Sequence, residues 1–248
     1  MPMRPEMQLP MFNKVLNDHV GHGKLDYERT IRTGELLGLH DHETATISHD
    51  GTVFVIAHQC QELKLKLATH ELSYSADLVE AGQVGQAIAS LDRVRVVFEC
   101  LIQELDILET LSPRNYQTVR KTLGKGSGQE SPGYNQIMAA GPVLWKALSD
   151  LLAARNTTLS ALYHDPDADS HLYLLTEAYT TVDGLWQKWL FHHFMLVKRI
   201  IGISHDTNSL AENKTTMLAS SMMRPLFPEL WSIRVAMTHE WVEARGHH

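Results

Sequence analysis

The stretch HDGTVFVIAHQCQELKLKLATHEL, residues 49–72, decides the fold. Val53, Phe54, Ile56, Ala57, Leu63, Leu65, Leu67 and Leu72 mark one long helix that follows a polar loop ending in Asp50-Gly51 and runs to about Glu80. Glu62 and Lys66 stand four apart, the spacing at which opposite charges pair on a helix face. Working outward, residues 83–111 carry Ile88, Leu91, Val94, Val97, Leu101, Leu105 and Leu108 at three- and four-residue spacing, which predicts a second long helix. Ser112-Pro113 then starts a shorter helix through Leu123, with proline at the first helical position.

Upstream, residues 1–24 read as an irregular N-terminal arm, Tyr27 to Leu39 as a short helix, and residues 40–51 as a polar loop. Downstream, GKGSGQESPG at 124–133 is a glycine-rich loop. Residues 134–163 read as helices broken near His164-Asp165-Pro166, and 171–201 as one more long helix carrying Trp186, Trp189 and His192-His193. A loop of about twenty residues then leads to LFPELW and a last helical turn. No segment alternates convincingly and no repeat is visible, so the expectation is an all-α helical bundle, with 25–246 as a single domain.

Composition narrows the partners. A formal charge of −7 argues against nucleic acid, which needs a basic face to displace counterions from phosphates. The sequence reads as having no apolar run of the roughly 18 residues a spanning helix needs, and MPMRPEMQLP lacks the apolar core of a signal peptide, so a cytoplasmic protein without a membrane partner is expected. Cys60 and Cys100 form no metal-binding or haem-attachment motif and read as small buried hydrophobes. His247 and His248 look like a tail and are set aside.

Fifteen histidines invite a metal or cofactor. Two stand among apolar residues on long helices, His58 in VFVIAHQCQEL and His193 in WLFHHFMLVKRIIG. Spacing alone makes either a core histidine. Phe191, Phe194, Met195 and Val197 surround His193 with the greasy walls a haem iron ligand needs, and helix geometry allows only one of His192 and His193 to reach a given iron. Tyr116 and Arg120 share one helix face, and a guanidinium there suits a substrate carboxylate as well as an ordinary surface contact. His40, His42, Glu43, His49 and Asp50 form a second, looser group that a non-haem metal would have to draw together from a loop. GKGSGQ lacks the ending of a P-loop, and no GxSxG occurs.

Four blocks, in order, resemble the tryptophan 2,3-dioxygenase family: LDYERTIRTGELLGL (25–39), residues 49–72, LETLSPRNYQTVRKTLGKGSGQES (108–131), and WLFHHFMLVKRIIG (189–202) followed by LFPELWSIR (226–234). The resemblance implies a helical homotetramer binding haem b between long helices and using O2. It implies an axial iron ligand at His193, a distal histidine at His58, and substrate contacts at Phe54, Tyr116 and Arg120. Tyr27 would then enter a neighbouring subunit's pocket, and Thr207 would lie in the loop over the substrate. The sequence departs from the family pattern at Lys64, at Gln129-Glu130 and around Thr207. From those departures a specialised relative is expected, similar to the maremycin-pathway oxygenase of β-methyltryptophan. Such an enzyme would form an oxindole with an external electron donor, or an N-formylkynurenine without one. A housekeeping tryptophan 2,3-dioxygenase and a non-catalytic haem-binding sensor are the alternatives.

Overall fold

The structure, a computed structural model, describes residues 21–39, 48–123, 128–202 and 224–246. Every regular element among them is helical, as the sequence leads one to expect. Backbone contacts divide the chain into two compact units, one of residues 1–58 and 111–124 and the other of residues 59–110 and 125–248.

In the first unit, α1 (Asp26–Ile31) and α2 (Thr33–Gly38) replace the single helix expected from Tyr27 to Leu39. Arg32 between them is left-handed, at φ 56°. The local run Thr30-Ile31-Arg32-Thr33-Gly34 explains the break, because β-branched residues and glycine are weak helix formers and no packing compensates. Arg32 pairs with Glu35 across the junction. The buried Glu28 carboxylate gathers the turn before α1 by accepting the N–H groups of Lys24 (3.0 Å) and Leu25 (3.3 Å).

The long helix of residues 49–72 is α3 (His49–Glu80), whose first turns belong to this unit. They meet α5 (Pro113–Thr122), which starts as its sequence dictates: Ser112 Oγ accepts the Asn115 N–H at 3.1 Å and Pro113 needs no amide partner. Leu111 and Val119 are buried, and Asn115 Nδ2 donates to Asp50 at 2.5 Å.

In the second unit α4 (Val84–Glu109) packs most extensively on α8 (Ser170–Ile200). The expected stripe of Leu91, Val94, Val97, Leu101, Leu105 and Leu108 is buried, joined by Phe98, whose ring lies 5.6 Å from Trp186. The α3–α4 turn passes through Gly82 at φ 71°, and Glu71 on α3 accepts from Ser90 Oγ (2.7 Å) and Arg93 Nε (3.0 Å) on α4. Residues 124–127 lie outside the described residues, and Gly128–Glu130 is a single 3-10 turn. It leads into α6 (Pro132–Ala154), capped by Ser131.

Against expectation, α6 is long and apolar enough to cross a bilayer. A third of its apolar window is buried, Ile137, Leu144 and Leu148 among the buried residues, and the Tyr179 hydroxyl donates to the Leu144 carbonyl at 3.2 Å. α7 (Leu159–His164) follows, and α8 is capped by Asp169, which accepts the Leu172 N–H at 3.0 Å. The last helical turn proves to be a helix of nineteen residues, α9 (Pro228–Gly246), whose apolar pattern is too weak to announce its length.

Candidate active site

Helix periodicity puts Phe54 and His58 one turn apart at the start of α3, and the rings lie 3.9 Å apart between centroids. His58 Nδ1 is 2.8 Å from the Phe54 carbonyl. A carbonyl only accepts, so Nδ1 carries a proton, and in the neutral imidazole Nε2 is the acceptor nitrogen. Tyr116 on α5 approaches the same phenylalanine, with ring centroids 6.0 Å apart. Burial pushes the Tyr116 phenol above its ordinary pKa, while the charge of Arg120 pulls the other way. Tyr116 and Arg120, one turn apart, are both half-buried. The first unit thus brings together a histidine, two aromatic rings and a guanidinium, four of the seven residues that sequence reasoning and the family resemblance singled out.

Tyr27 lies in the first turn of α1 and is 70% exposed. Thr207 falls outside the described residues, as do His40, His42 and Glu43; His49 and Asp50 occupy the first turn of α3. No three His, Cys, Asp or Glu side chains converge among the described residues.

The second unit holds His193 near the end of α8. Its ring stacks on Trp189 one turn back, at 5.6 Å and 16°. Trp189 is buried against Trp186, at 5.0 Å and 17°. The adjacent His192 is exposed and meets Phe191 edge-on at 6.2 Å. Phe191 and Met195, two positions to either side of His193 and so on the opposite face of the helix, are 52% and 41% exposed. The half-buried His193 imidazole, with Trp189 and half-buried Val197 one turn to either side on the same helix face, fits the nitrogen donor of an iron porphyrin. That group needs a single protein nitrogen and a wide apolar surface.

Three features escaped the sequence reading. Glu62 does not act through Lys66. It accepts from the Ser131 hydroxyl and from Gly133 N–H at 3.1 Å, tying α3 to the start of α6. A β-carbon on Gly133 would stand 2.5 Å from Leu65 Cβ. Lys64 pairs with Glu104 on α4. Asp183, fully buried on α8, receives the N–H groups of Leu226 (2.9 Å) and Phe227 (2.9 Å), the indole N–H of Trp231 (2.8 Å) and the amide of Gln187 (3.1 Å). It fastens the FPELW segment to the helix that bears His193. A lone carboxylate in the apolar run YTTVDGLW was the available signal.

Comparison with known proteins gives these residues a context. The family description "Tryptophan 2,3-dioxygenase" matches residues 14–139, which include Phe54, His58, Tyr116 and Arg120. Curated relatives extend the likeness to most of the chain. A tryptophan 2,3-dioxygenase of Anaeromyxobacter sp. (strain K) is 26% identical over 76% of this chain and 88% of its own length. The enzyme of the same name from Polaromonas sp. (strain JS666) is 28% identical over 87% and 91%, and that of Pseudomonas fluorescens 26% identical over 86% and 94%. With the family description covering just over half of its residues, the chain belongs to the tryptophan 2,3-dioxygenase family and is an oxidoreductase of that family.

Proposed function

We propose that this protein is a haem-dependent dioxygenase that opens the indole ring of tryptophan, with His193 as the residue that would hold the iron of haem b. The observation that carries the reading is the set of Phe54, His58, Tyr116 and Arg120 on two adjoining helices, inside the stretch that matches the family. Haem iron, when bound, supplies the activation of dioxygen that closed-shell indole cannot achieve alone.

The chain's own residues do the rest. Arg120 grips the carboxylate of the amino acid by charge-assisted hydrogen bonds, which fixes where the side chain points. Phe54 and Tyr116 offer flat apolar faces for an indole ring. His58, with Nδ1 committed to the Phe54 carbonyl, turns an acceptor nitrogen toward an indole N–H. Tyr27 completes the pocket of a neighbouring subunit in a homotetramer, and Thr207 contacts the bound amino acid. Both oxygen atoms end in the product as the C2–C3 bond breaks, giving an N-formylkynurenine with no external reductant.

The departures at Lys64, Gln129 and Glu130 support a second reading in which the substrate is a substituted tryptophan such as the β-methyl compound, oxygenated once with an electron donor. The first reading stands ahead of it because the relatives are named for tryptophan. The test is haem reconstitution of the wild type, His193→Ala and His192→Ala, followed by oxygen uptake with tryptophan and with β-methyltryptophan. We expect a Soret band and tryptophan-dependent uptake in wild type and His192→Ala and neither in His193→Ala. Haem retained by His193→Ala, or uptake with β-methyltryptophan alone, would overturn the first reading.

A further inference from the structure

The rings that run inward from His193 form a continuous row, stacked as far as Trp186 and tilted at its last step. Trp189 lies 5.6 Å from the imidazole at 16°, Trp186 lies 5.0 Å from Trp189 at 17°, and Tyr134 on α6 lies 5.6 Å from Trp186 at 31°. The two ends are partly open, at half-buried His193 and half-buried Tyr134, and the middle is closed, with Trp186 fully buried. A second property sets the middle apart. The indole N–H groups of both Trp186 and Trp189 are buried without a hydrogen-bond partner among the described residues. Buried indoles ordinarily find an acceptor, so two neighbouring orphans need a reason beyond packing.

We propose that Trp189, Trp186 and Tyr134 are a one-electron relay that drains an oxidising equivalent from the His193 site to the Tyr134 phenol. The orphaned N–H groups suit this task. An indole that loses an electron sheds its N–H proton only if an acceptor is at hand; without one, the step remains a pure electron transfer and reverses easily. The hole therefore moves on. Tyrosine behaves differently, because oxidation of a phenol releases its proton, and the half-buried Tyr134 can pass that proton to water. Burial raises the Tyr134 pKa, and the positive charge of Arg224 works against that rise and favours the proton's departure.

In balance, one electron leaves Tyr134 for the His193 site; the O–H bond of Tyr134 breaks, its proton goes to bulk water, and a tyrosyl radical remains. Two such electrons, with two protons from water, convert one hydroperoxide at the His193 site into an alcohol and a water molecule. A soluble thiol returns one hydrogen atom to each tyrosyl radical and restores the phenol, and the two thiyl radicals left behind couple to a disulfide. The use of the relay rests on the haem reading above, but its existence does not.

The test accordingly avoids haem. In a full-length Cys60→Ala/Cys100→Ala background, His193→Cys carries a thiol-linked ruthenium polypyridyl. A flash in the presence of a cobalt(III) ammine quencher generates ruthenium(III), the one-electron oxidant. Transient absorption should show an indole radical cation that gives way to a tyrosyl radical. Tyr134→Phe should lose the tyrosyl signal and prolong the indole signal, and Trp186→Phe and Trp189→Phe should each lose the tyrosyl signal while circular dichroism remains helical. Absence of both radicals in the labelled parent, an undiminished tyrosyl signal in Tyr134→Phe, or an undiminished signal in both folded tryptophan variants would overturn the relay. Each of these results is independent of whether His193 binds haem.

Discussion

His58 Nδ1 and the carbonyl oxygen of Phe54 stand 2.8 Å apart, and this contact fixes which imidazole nitrogen carries the proton. The neutral ring then accepts at Nε2. Removing the acceptor should matter only to substrates with an indole N–H. We predict that His58→Ala lowers kcat/KM for tryptophan by about tenfold, the equivalent of one hydrogen bond of about 1.4 kcal/mol, while 1-methyltryptophan is handled equally by both proteins. Steady-state oxygen uptake with the two substrates checks this.

Arg120 carries a different part of the binding energy. Loss of a charge-assisted carboxylate contact costs about 1.5–3 kcal/mol, so Arg120→Ala should raise KM for tryptophan by roughly 10- to 150-fold with a smaller change in kcat. Tryptamine, which lacks the carboxylate, should show no such difference. An unchanged KM for tryptophan would remove Arg120 from the site.

The buried carboxylate of Asp183 anchors the backbone at Leu226 and Phe227 and the Trp231 indole. Asp183→Ala leaves these donors unsatisfied in the interior and should cost about 3–5 kcal/mol, read as a lowered midpoint in urea denaturation. Asp183→Asn, which keeps one acceptor oxygen, should lose less.

At Gly133 the constraint is steric. A β-carbon would meet Leu65 Cβ at 2.5 Å and Glu62 Oε2 at 2.9 Å, so Gly133→Ala should destabilise by about 1–3 kcal/mol. Gly133→Ala should cost less in a Leu65→Gly background, which lacks the clashing Cβ, a coupling that a double-mutant cycle measures.

His164 gives a pH dependence. Its Nδ1 donates to the Ser160 carbonyl at 2.7 Å and its Nε2 meets Glu240 of α9 at 2.8 Å. The Ser160 carbonyl first, and Glu240 after it, hold its pKa above the usual 6.5. A raised histidine pKa stabilises the folded state fully below the unfolded value, and that contribution disappears as pH rises through the folded value. The stability gap between wild type and His164→Gln, from denaturation midpoints, should therefore shrink as pH rises from below 6.5 into the alkaline range.

Much of this was legible in the sequence where the deciding contacts are local. Phe54 with His58 and Tyr116 with Arg120 are pairs at i,i+4, which periodicity alone places together. The stop of α3 at Glu80 and the Ser112-Pro113 start of α5 are equally local. What escaped depends on distance along the chain. Glu62 has a lysine at the expected helical spacing but bonds to residues about seventy positions away. Asp183 meets partners more than forty positions away. Arg32 escaped for another reason: its left-handed backbone ends a helix that side-chain pattern alone would continue.

The central claim is ring-opening dioxygenation at a haem held by His193, and mass spectrometry under isotopically labelled dioxygen tests it most directly. Haem-loaded, reduced protein supplied with tryptophan should give a product carrying two labelled atoms without any added electron donor. A product with one labelled atom formed only when a donor is present, or no labelled product at all, would contradict the account.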